Sequence, residues 1–303
     1  MVAEFYIIPD SFANNPQFSR EQIESKIKSL AIDFREIKKY KDSNRLFVHS
    51  DIYNVEFIEG LTLGYILFDP QRAKQHIDRD VFNALNKIII ESQSTTHTSQ
   101  EVIEVLLPEH SDEICHGLIA FQKVDGVDES FQLIYGIDGW YIFRRYFLGL
   151  YPKNGIYFIN ECTKYFPKIF FHEQNKQSIS RILDNCPKKI IYHLAAFNDK
   201  FRESQLPQFN RTQVLEHFSR NTDLDAIASL EGDAGRKDAL SFSFINKDNQ
   251  SEQVCCEPHM KLCYNDNYPG DNSYSNDRRI YFHEGKANIQ NGKLLVGHIG
   301  VHL

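Results

Sequence analysis

The sequence predicts an α+β protein, with an aromatic-rich region of mixed helices and strands followed by a C-terminal antiparallel sheet with flanking helices. Three observations favour this class. Helical apolar periodicity and short strand-like runs occur together in the first two thirds of the chain. Several strand-like runs follow one another closely near the end. The 303 residues are 42% apolar and 25% charged, which is the balance of a globular chain.

The N-terminal region begins with an apolar run at 4–9 that predicts a strand stopped by Pro9. Ser19 and Gln22 have the spacing of a capping box, and the apolar residues that follow recur at steps of three and four, which predicts a helix. A second amphipathic helix is predicted at 80–90. Further strands are predicted at 46–49, 55–58, 61–68, 102–107, 117–121 and 132–135, with a loop at 92–100.

The middle of the chain is rich in aromatic residues and predicts buried helices. The segment 140–150 is apolar on nearly every side apart from Arg144 and Arg145. A polar joint with a proline follows at 203–212. We therefore expect one domain over residues 1–204 and a second over residues 205–303.

The second predicted domain ends in strands whose side chains alternate between apolar and titratable. Helices are expected at 213–219 and 224–230, and strands at 240–246, 253–264, 278–283 and 293–302. Apolar residues such as Met260, Ile280 and Leu295 fall on the side opposite the titratable ones. In one antiparallel sheet, seven side chains would then share one surface. These are Glu257, His259, Lys261, Arg279, Tyr281, His283 and His298.

These residue types suit the cleavage of an RNA phosphodiester without a metal ion. Transesterification needs a base for the 2′-hydroxyl and an acid for the leaving 5′-oxygen, and histidine and glutamate transfer protons near neutral pH. Arginine and lysine stabilise the charge that grows on phosphorus, and tyrosine donates a hydrogen bond or stacks on a base. The leading interpretation is therefore a ribonuclease that takes RNA as its partner and uses no cofactor.

The C-terminal motifs resemble those of RelE/HigB-type bacterial toxins. The resemblance lies in Glu257-Pro-His-Met-Lys-Leu262, Arg279-Ile-Tyr-Phe282 and Lys293-Leu-Leu-Val-Gly-His-Ile-Gly300. It covers about 45 residues and implies a toxin-like ribonuclease with a role in bacterial defence. This chain differs from such toxins in its long N-terminal region, in the insert at 265–277 and in its net charge of −7.

Two other functions stay open. A metal-dependent nuclease would recruit the acids Glu231, Asp238 and Glu257, although Glu257 and Lys261 do not have the Glu-x-Lys spacing of restriction nucleases. A non-catalytic module would bind a protein, a nucleic acid or a second copy of the chain through its C-terminal sheet. The spacing Cys255-Cys256-x2-His259-x3-Cys263 matches no standard zinc site.

Charge and hydropathy narrow the partners further. A net charge of −7 and a pI near 5.9 argue against sequence-blind coating of nucleic acid, but they allow one focused basic pocket. No uncharged apolar run approaches the roughly 20 residues of a membrane span. The first residues also lack the pattern of a signal peptide. We therefore expect a cytoplasmic protein that does not bind membranes.

Overall fold

A computed structural model describes residues 1–120, 122–128, 132–134, 137–224, 226–232, 234–263, 266 and 274–303. The fold is α+β, as predicted. The chain forms two compact units, residues 1–144 and 145–303. None of the described helices combines the length and the apolar character that a membrane span requires.

The first unit contains a five-stranded parallel sheet in the order β5-β2-β1-β6-β7 and a small β3-β4 hairpin. Its strands are β1 (Val2–Ile7), β2 (Asn44–His49), β3 (Glu56–Ile58), β4 (Leu61–Thr62), β5 (Gln93–Thr95), β6 (Ile114–Ile119) and β7 (Leu133–Ile134). Its helices are α1 (Pro9–Phe12), α2 (Arg20–Lys38), α3 (Leu63–Phe68), α4 (Pro70–His76), α5 (Arg79–Ile90) and α6 (Ser99–Glu101), and α6 continues into a π-helical turn at Val102–Leu106. Helix α7 (Ile137–Leu150) contains the division between the two units.

The two long helices of this unit form where the sequence predicts them. Ser19 accepts a hydrogen bond from the Gln22 amide and starts α2 with a capping box. The apolar stripe of α5 buries Val81, Leu85 and Ile88. The two helices contact each other along these apolar stripes.

Three predictions in the first unit are wrong. The run at 61–68 is a strand only over Leu61–Thr62, because the Thr62 hydroxyl caps a helix at the Tyr65 amide. The run at 102–107 is helical rather than extended, since a capping box between Thr98 and Glu101 starts a helix just before it. The segment 92–100, expected to be a loop, holds the short strand β5. The ends of the strands predicted at 117–121 and 132–135 include residues outside the described part of the chain.

The second unit contains a four-stranded sheet in the order β11-β12-β13-β8 and a β9-β10 hairpin. Its strands are β8 (Ile169–Phe171), β9 (Ser241–Ile245), β10 (Ser251–Cys255), β11 (His259–Cys263), β12 (Tyr274–His283) and β13 (Leu294–Val301). Its further helices are α8 (Gly155–Tyr165), α9 (Asn175–Ser178), α10 (Pro187–Lys200) and α11 (Arg211–Asn221). Strands β11, β12 and β13 are antiparallel, whereas β8 is parallel to β13.

The division between compact units falls at 144/145, whereas the sequence predicts a boundary at 204/205. Residues 145–204 belong to the second unit because β8 extends the C-terminal sheet. Phe197 of α10 also packs on Phe282 of β12, with ring centroids 4.4 Å apart. The polar joint at 203–212 therefore connects two helices of one unit.

Each face of the C-terminal sheet has its own cover. Phe282 contacts rings of α10 and of the turn that follows it. On the opposite face, Tyr281 and Leu295 share a core with Phe242, Phe244 and Val254 of the β9-β10 hairpin. The sheet is thus covered by helices on one side and partly by the hairpin on the other.

A β-bulge at Gly297 changes the alternation along β13. Tyr281 pairs with His298, but the next residue, Phe282, pairs with Val296, so β13 carries one additional residue. Leu295 and His298 therefore lie on the same face, although simple alternation predicts opposite faces. A Cβ at position 297 would come within 2.4 Å of Phe242, which is why the bulge holds a glycine.

Two further predictions in this unit are wrong. The run at 253–264, whose last residue lies outside the described part of the chain, forms two strands separated at 256–258, because β10 pairs with β9 whereas β11 pairs with β12. The segment 224–230 does not form a helix within its described residues. Instead, Ser229 makes an isolated antiparallel bridge to His259.

Candidate active site at one end of the C-terminal sheet

The strand register brings five of the predicted site residues together. His259 pairs with Tyr281, which pairs in turn with His298, and Lys261 pairs with Arg279. The ring of Tyr281 lies 5.3 Å from that of His259 and 6.2 Å from that of His298. These residues form one polar cluster on the hairpin-covered face.

Glu231 joins this cluster from the loop that precedes the hairpin. The hydroxyl of Tyr281 donates to Oε2 of Glu231 at 3.3 Å, and Nε2 of His302 lies 3.5 Å from the same oxygen. Reciprocal backbone hydrogen bonds between Ser229 and His259, at 3.1 and 2.9 Å, fix the chain two residues before Glu231. The carboxylate is therefore held between a phenol and an imidazole.

Cationic groups surround the cluster. A terminal guanidinium nitrogen of Arg236 lies 2.7 Å from Nδ1 and 2.9 Å from Nε2 of His302. Arg279 is 8% exposed, and its Nε and one terminal nitrogen have no hydrogen-bond partner among the described residues. Because these nitrogens are buried, the guanidinium acts on the cluster through its charge.

Burial sets the proton affinities of His259 and Tyr281. It lowers the pKa of His259 to about 4, an effect that the nearby charge of Arg279 reinforces, so this imidazole is neutral at pH 7. Ser229 Oγ lies 3.2 Å from its Nε2. Burial also raises the pKa of Tyr281 to about 12, so its hydroxyl keeps its proton and acts as a donor.

Glu231 stays ionised in this setting. Burial opposes its ionisation, but His259, His302 and the hydroxyl of Tyr281 outweigh that effect and lower the pKa of the carboxyl group. Because His259 is neutral at pH 7, the hydroxyl of Tyr281 and the charge of Arg279 stabilise the carboxylate at that pH.

A cavity of about 360 Å³ borders the cluster. His298 and His302 line it on one side, and Gln174, Gln177 and Arg181 line it on another. Nε2 of His298 lies 2.9 Å from the carbonyl oxygen of Val301, which places its proton on Nε2 and leaves Nδ1 as an acceptor. Nδ1 has no partner among the described residues, and burial lowers the pKa of this histidine.

Glu257 and His283 contact a different set of residues. The guanidinium of Arg211 binds both Glu257, at 3.3 Å, and Glu284, at 2.9 Å. Nδ1 of His283 accepts a hydrogen bond from the Gly285 amide at 3.0 Å and lies 3.9 Å from Glu284. Burial lowers the pKa of His283, although Glu284 opposes this effect.

Three residues of the cluster lie outside the seven predicted from the sequence: Glu231, Arg236 and His302. The alternation in the last strand does put His302 on the polar side with His298, which is a usable signal. Glu231 and Arg236 lie in a loop, and their position depends on the bridge between Ser229 and His259, which no local pattern indicates.

Two of the three acids of the metal-dependent alternative, Glu231 and Glu257, have other partners. Glu231 contacts Tyr281 and His302, whereas Glu257 contacts Arg211. In the part of the chain that the structure describes, no three His, Cys, Asp or Glu side chains are grouped so that they could hold a metal ion. Among the described residues, Cys255, Cys256, His259 and Cys263 therefore do not form such a group either.

Comparison of the chain with protein-family models, with curated proteins and with solved structures finds no match.

Proposed function

We propose that the second unit cleaves RNA by metal-independent transesterification. The observation that carries this proposal is that His298 and His302 line one cavity. Glu231 contacts the ring of His302, and the hydroxyl of Tyr281 donates to the same carboxylate. The two histidines supply the acid and the base that the reaction needs. The products are a 2′,3′-cyclic phosphate and a free 5′-hydroxyl.

His298 acts as the base. Its Nε2 proton is held by the carbonyl of Val301, and its lowered pKa keeps the ring neutral at pH 7. Nδ1 takes the proton from the 2′-hydroxyl, and the 2′-oxygen then forms a bond to phosphorus. Nδ1 is buried in the free chain, so this step requires that bound RNA opens the wall of the cavity at this nitrogen.

His302 acts as the acid. The bond between phosphorus and the 5′-oxygen breaks as the imidazolium of His302 gives its proton to that oxygen. Glu231, 3.5 Å from Nε2, stabilises the imidazolium before the transfer. Because the guanidinium of Arg236 can only donate, a ring nitrogen of His302 accepts in this contact, and the ring takes up a proton from solvent before it acts as the acid.

Arginine side chains neutralise the phosphate. Arg181 is exposed at the cavity and contacts the phosphate, whereas Arg279 is buried beside the cluster and contributes its positive charge. Positive charge fixed in place before the reaction stabilises the additional negative charge of the transition state. These cations make the potential at the cavity more positive, although the net charge of the whole chain is −7.

The resemblance of the C-terminal motifs to RelE/HigB-type toxins supports the same reaction. Those proteins are small ribonucleases whose sheets carry basic and histidine residues. We propose a comparable role for this sheet, with the acid–base pair at His298 and His302 rather than at His259 and His283.

The test is cleavage of a fluorescent single-stranded RNA by the full chain in the presence of EDTA. We expect cleavage that leaves a 2′,3′-cyclic phosphate, and a loss of at least about 100-fold in rate for His302→Ala and for His298→Ala. Replacement of the 2′-hydroxyl at the cleaved position by hydrogen should block the reaction.

The matched control is His283→Ala, which removes a histidine of the same sheet that does not line the cavity. It should keep the wild-type rate. The proposal is wrong if the wild-type chain does not cleave RNA, if EDTA abolishes cleavage, or if His283→Ala loses as much activity as His302→Ala.

A further inference from the structure

The parallel sheet of the first unit contains a topological switch point. From β1 the chain adds β2 and then β5 on one side, and it later adds β6 and β7 on the other side. The direction of growth therefore reverses between β1 and β6. In open parallel sheets, ligands bind in the crevice outside the carboxyl ends of the strands at such a point.

A cavity of about 950 Å³ lies at this position. Asp10 and Ala13 follow the carboxyl end of β1, and residues 123–126 follow the carboxyl end of β6. The third wall is the helical segment that carries Ser99, Gln100 and Glu104. The volume is within the range of small-molecule sites.

Hydrogen bonds and core packing hold the walls of this crevice in place. The side-chain amide of Gln122 donates to the carbonyl oxygens of Asp10, at 3.2 Å, and Ala13, at 3.0 Å, so it ties the two strand-end loops together. Val124 is buried in the core beneath the crevice. The third wall contains the π-helical turn at Val102–Leu106, a feature frequent at functional sites.

The lining indicates the chemistry of the ligand. Asp10, Glu104 and Asp125 offer only acceptors, Lys123 offers donors, and Ser99 and Gln100 offer both. The side-chain amide of Gln100 already donates to Oε2 of Glu104 at 2.9 Å, which leaves the other oxygen of Glu104 for a ligand. A hydroxyl group both donates and accepts, so a ligand rich in hydroxyl groups pairs with every member of this set. Three carboxylates against one ammonium group disfavour a phosphate-bearing ligand. Ile103 and Val124 provide an apolar wall for a flat ring.

We propose that this crevice binds a nucleoside without phosphate, through the vicinal hydroxyls of its ribose. The carboxylates at the carboxyl ends of β1 and β6 accept from the ribose hydroxyls, and the base lies against Ile103 and Val124. This site is separate from the residues proposed for RNA cleavage, so its success or failure does not depend on that proposal.

The ligand series that tests it is adenosine, 2′,3′-dideoxyadenosine and AMP, titrated into the full chain by calorimetry. Adenosine should bind, and the dideoxy analogue should bind at least about tenfold more weakly because the carboxylates lose their donors. AMP should also bind more weakly than adenosine. Equal binding of adenosine and its dideoxy analogue, tighter binding of AMP, or no binding of adenosine at millimolar concentration overturns the proposal.

Variants of the lining give a second readout. Asp125→Asn and Glu104→Gln should each weaken adenosine binding by about tenfold. Glu113→Gln is the matched control, since Glu113 is an exposed acid just before the amino end of β6, where a switch-point ligand does not bind. Adenosine affinity that is unchanged by both crevice variants, or lowered equally by Glu113→Gln, contradicts the assignment.

Discussion

The polar face of the C-terminal sheet has two ends that differ in what covers them. At one end, Leu295 pairs with His283 and is buried with the side chains of the β9-β10 hairpin. At the other end, His298 and His302 border a cavity, with Glu231 behind them. The same alternation of residue types runs through both ends, so sequence pattern alone does not distinguish them.

The bulge at Gly297 lies between these two ends. It moves Leu295 onto the face of His298, so an apolar residue is available for the hairpin core while the histidine stays beside the cavity. The close approach of Phe242 and Cys256 to Gly297 anchors the hairpin at this point. One additional residue thus divides a uniform polar face into a covered part and an open part.

The largest effect should come from filling the space at the bulge. A Cβ at position 297 would lie 2.4 Å from Phe242, so Gly297→Val forces the hairpin off the sheet or distorts β13. We expect a loss of about 4 kcal/mol in the free energy of unfolding, together with loss of activity. Denaturant unfolding of the purified variant measures this effect.

Gly232→Val is the matched control, since a Cβ at Gly232 has no neighbour within 4 Å. It should change the free energy of unfolding by less than about 0.5 kcal/mol. If Gly297→Val unfolds at the wild-type denaturant concentration, the hairpin does not depend on this contact, and the division of the face has another cause.

A smaller effect should appear in the pH dependence of stability. Burial lowers the pKa of His259 to about 4 in the folded chain, whereas its ordinary value is 6.5. Between pH 6.5 and pH 4 the unfolded chain takes up a proton at His259, whereas the folded chain does not. His259 therefore leaves the free energy of unfolding unchanged above pH 6.5 and lowers it as the pH falls towards 4. The loss reaches about 3 kcal/mol, and His259→Asn should flatten this part of the profile in urea unfolding measured from pH 7 to pH 4.

The control for this profile is His217→Asn, which replaces a half-buried histidine of α11. Its pH profile should match that of the wild-type chain. An unchanged slope in His259→Asn between pH 6.5 and pH 4 would show that His259 is solvated, in contrast to the buried position described above.

Local sequence signals correctly predicted the helices that have a capping box or a clear apolar stripe. The capping box at Ser19 correctly gave the start of α2, and the apolar stripe at 80–90 gave α5. The run at 61–68 misled because a short apolar segment fits a strand or a helix equally well. The deciding residue, Thr62, acts through a single hydrogen bond to the Tyr65 amide.

Only the site residues that lie on regular strands could be predicted from the sequence. Alternation correctly placed His259, Tyr281 and His298 on one face. It had no means of finding Glu231, whose position is set by a bridge across 30 residues of sequence. Nor did it indicate the cavity, because the α9 region that supplies Gln174 and Gln177 is distant in the chain from β13.

RNA contact at the open end of the face, and not at the covered end, is what we propose for this sheet. Its most direct test is NMR of the histidine ring nitrogens during titration with a 2′-deoxy oligonucleotide, which binds without being cleaved. We predict that the resonances of His298 and His302 shift with added oligonucleotide, while that of His283 stays in place. A shift of His283 with no change at His298 and His302 would contradict the account.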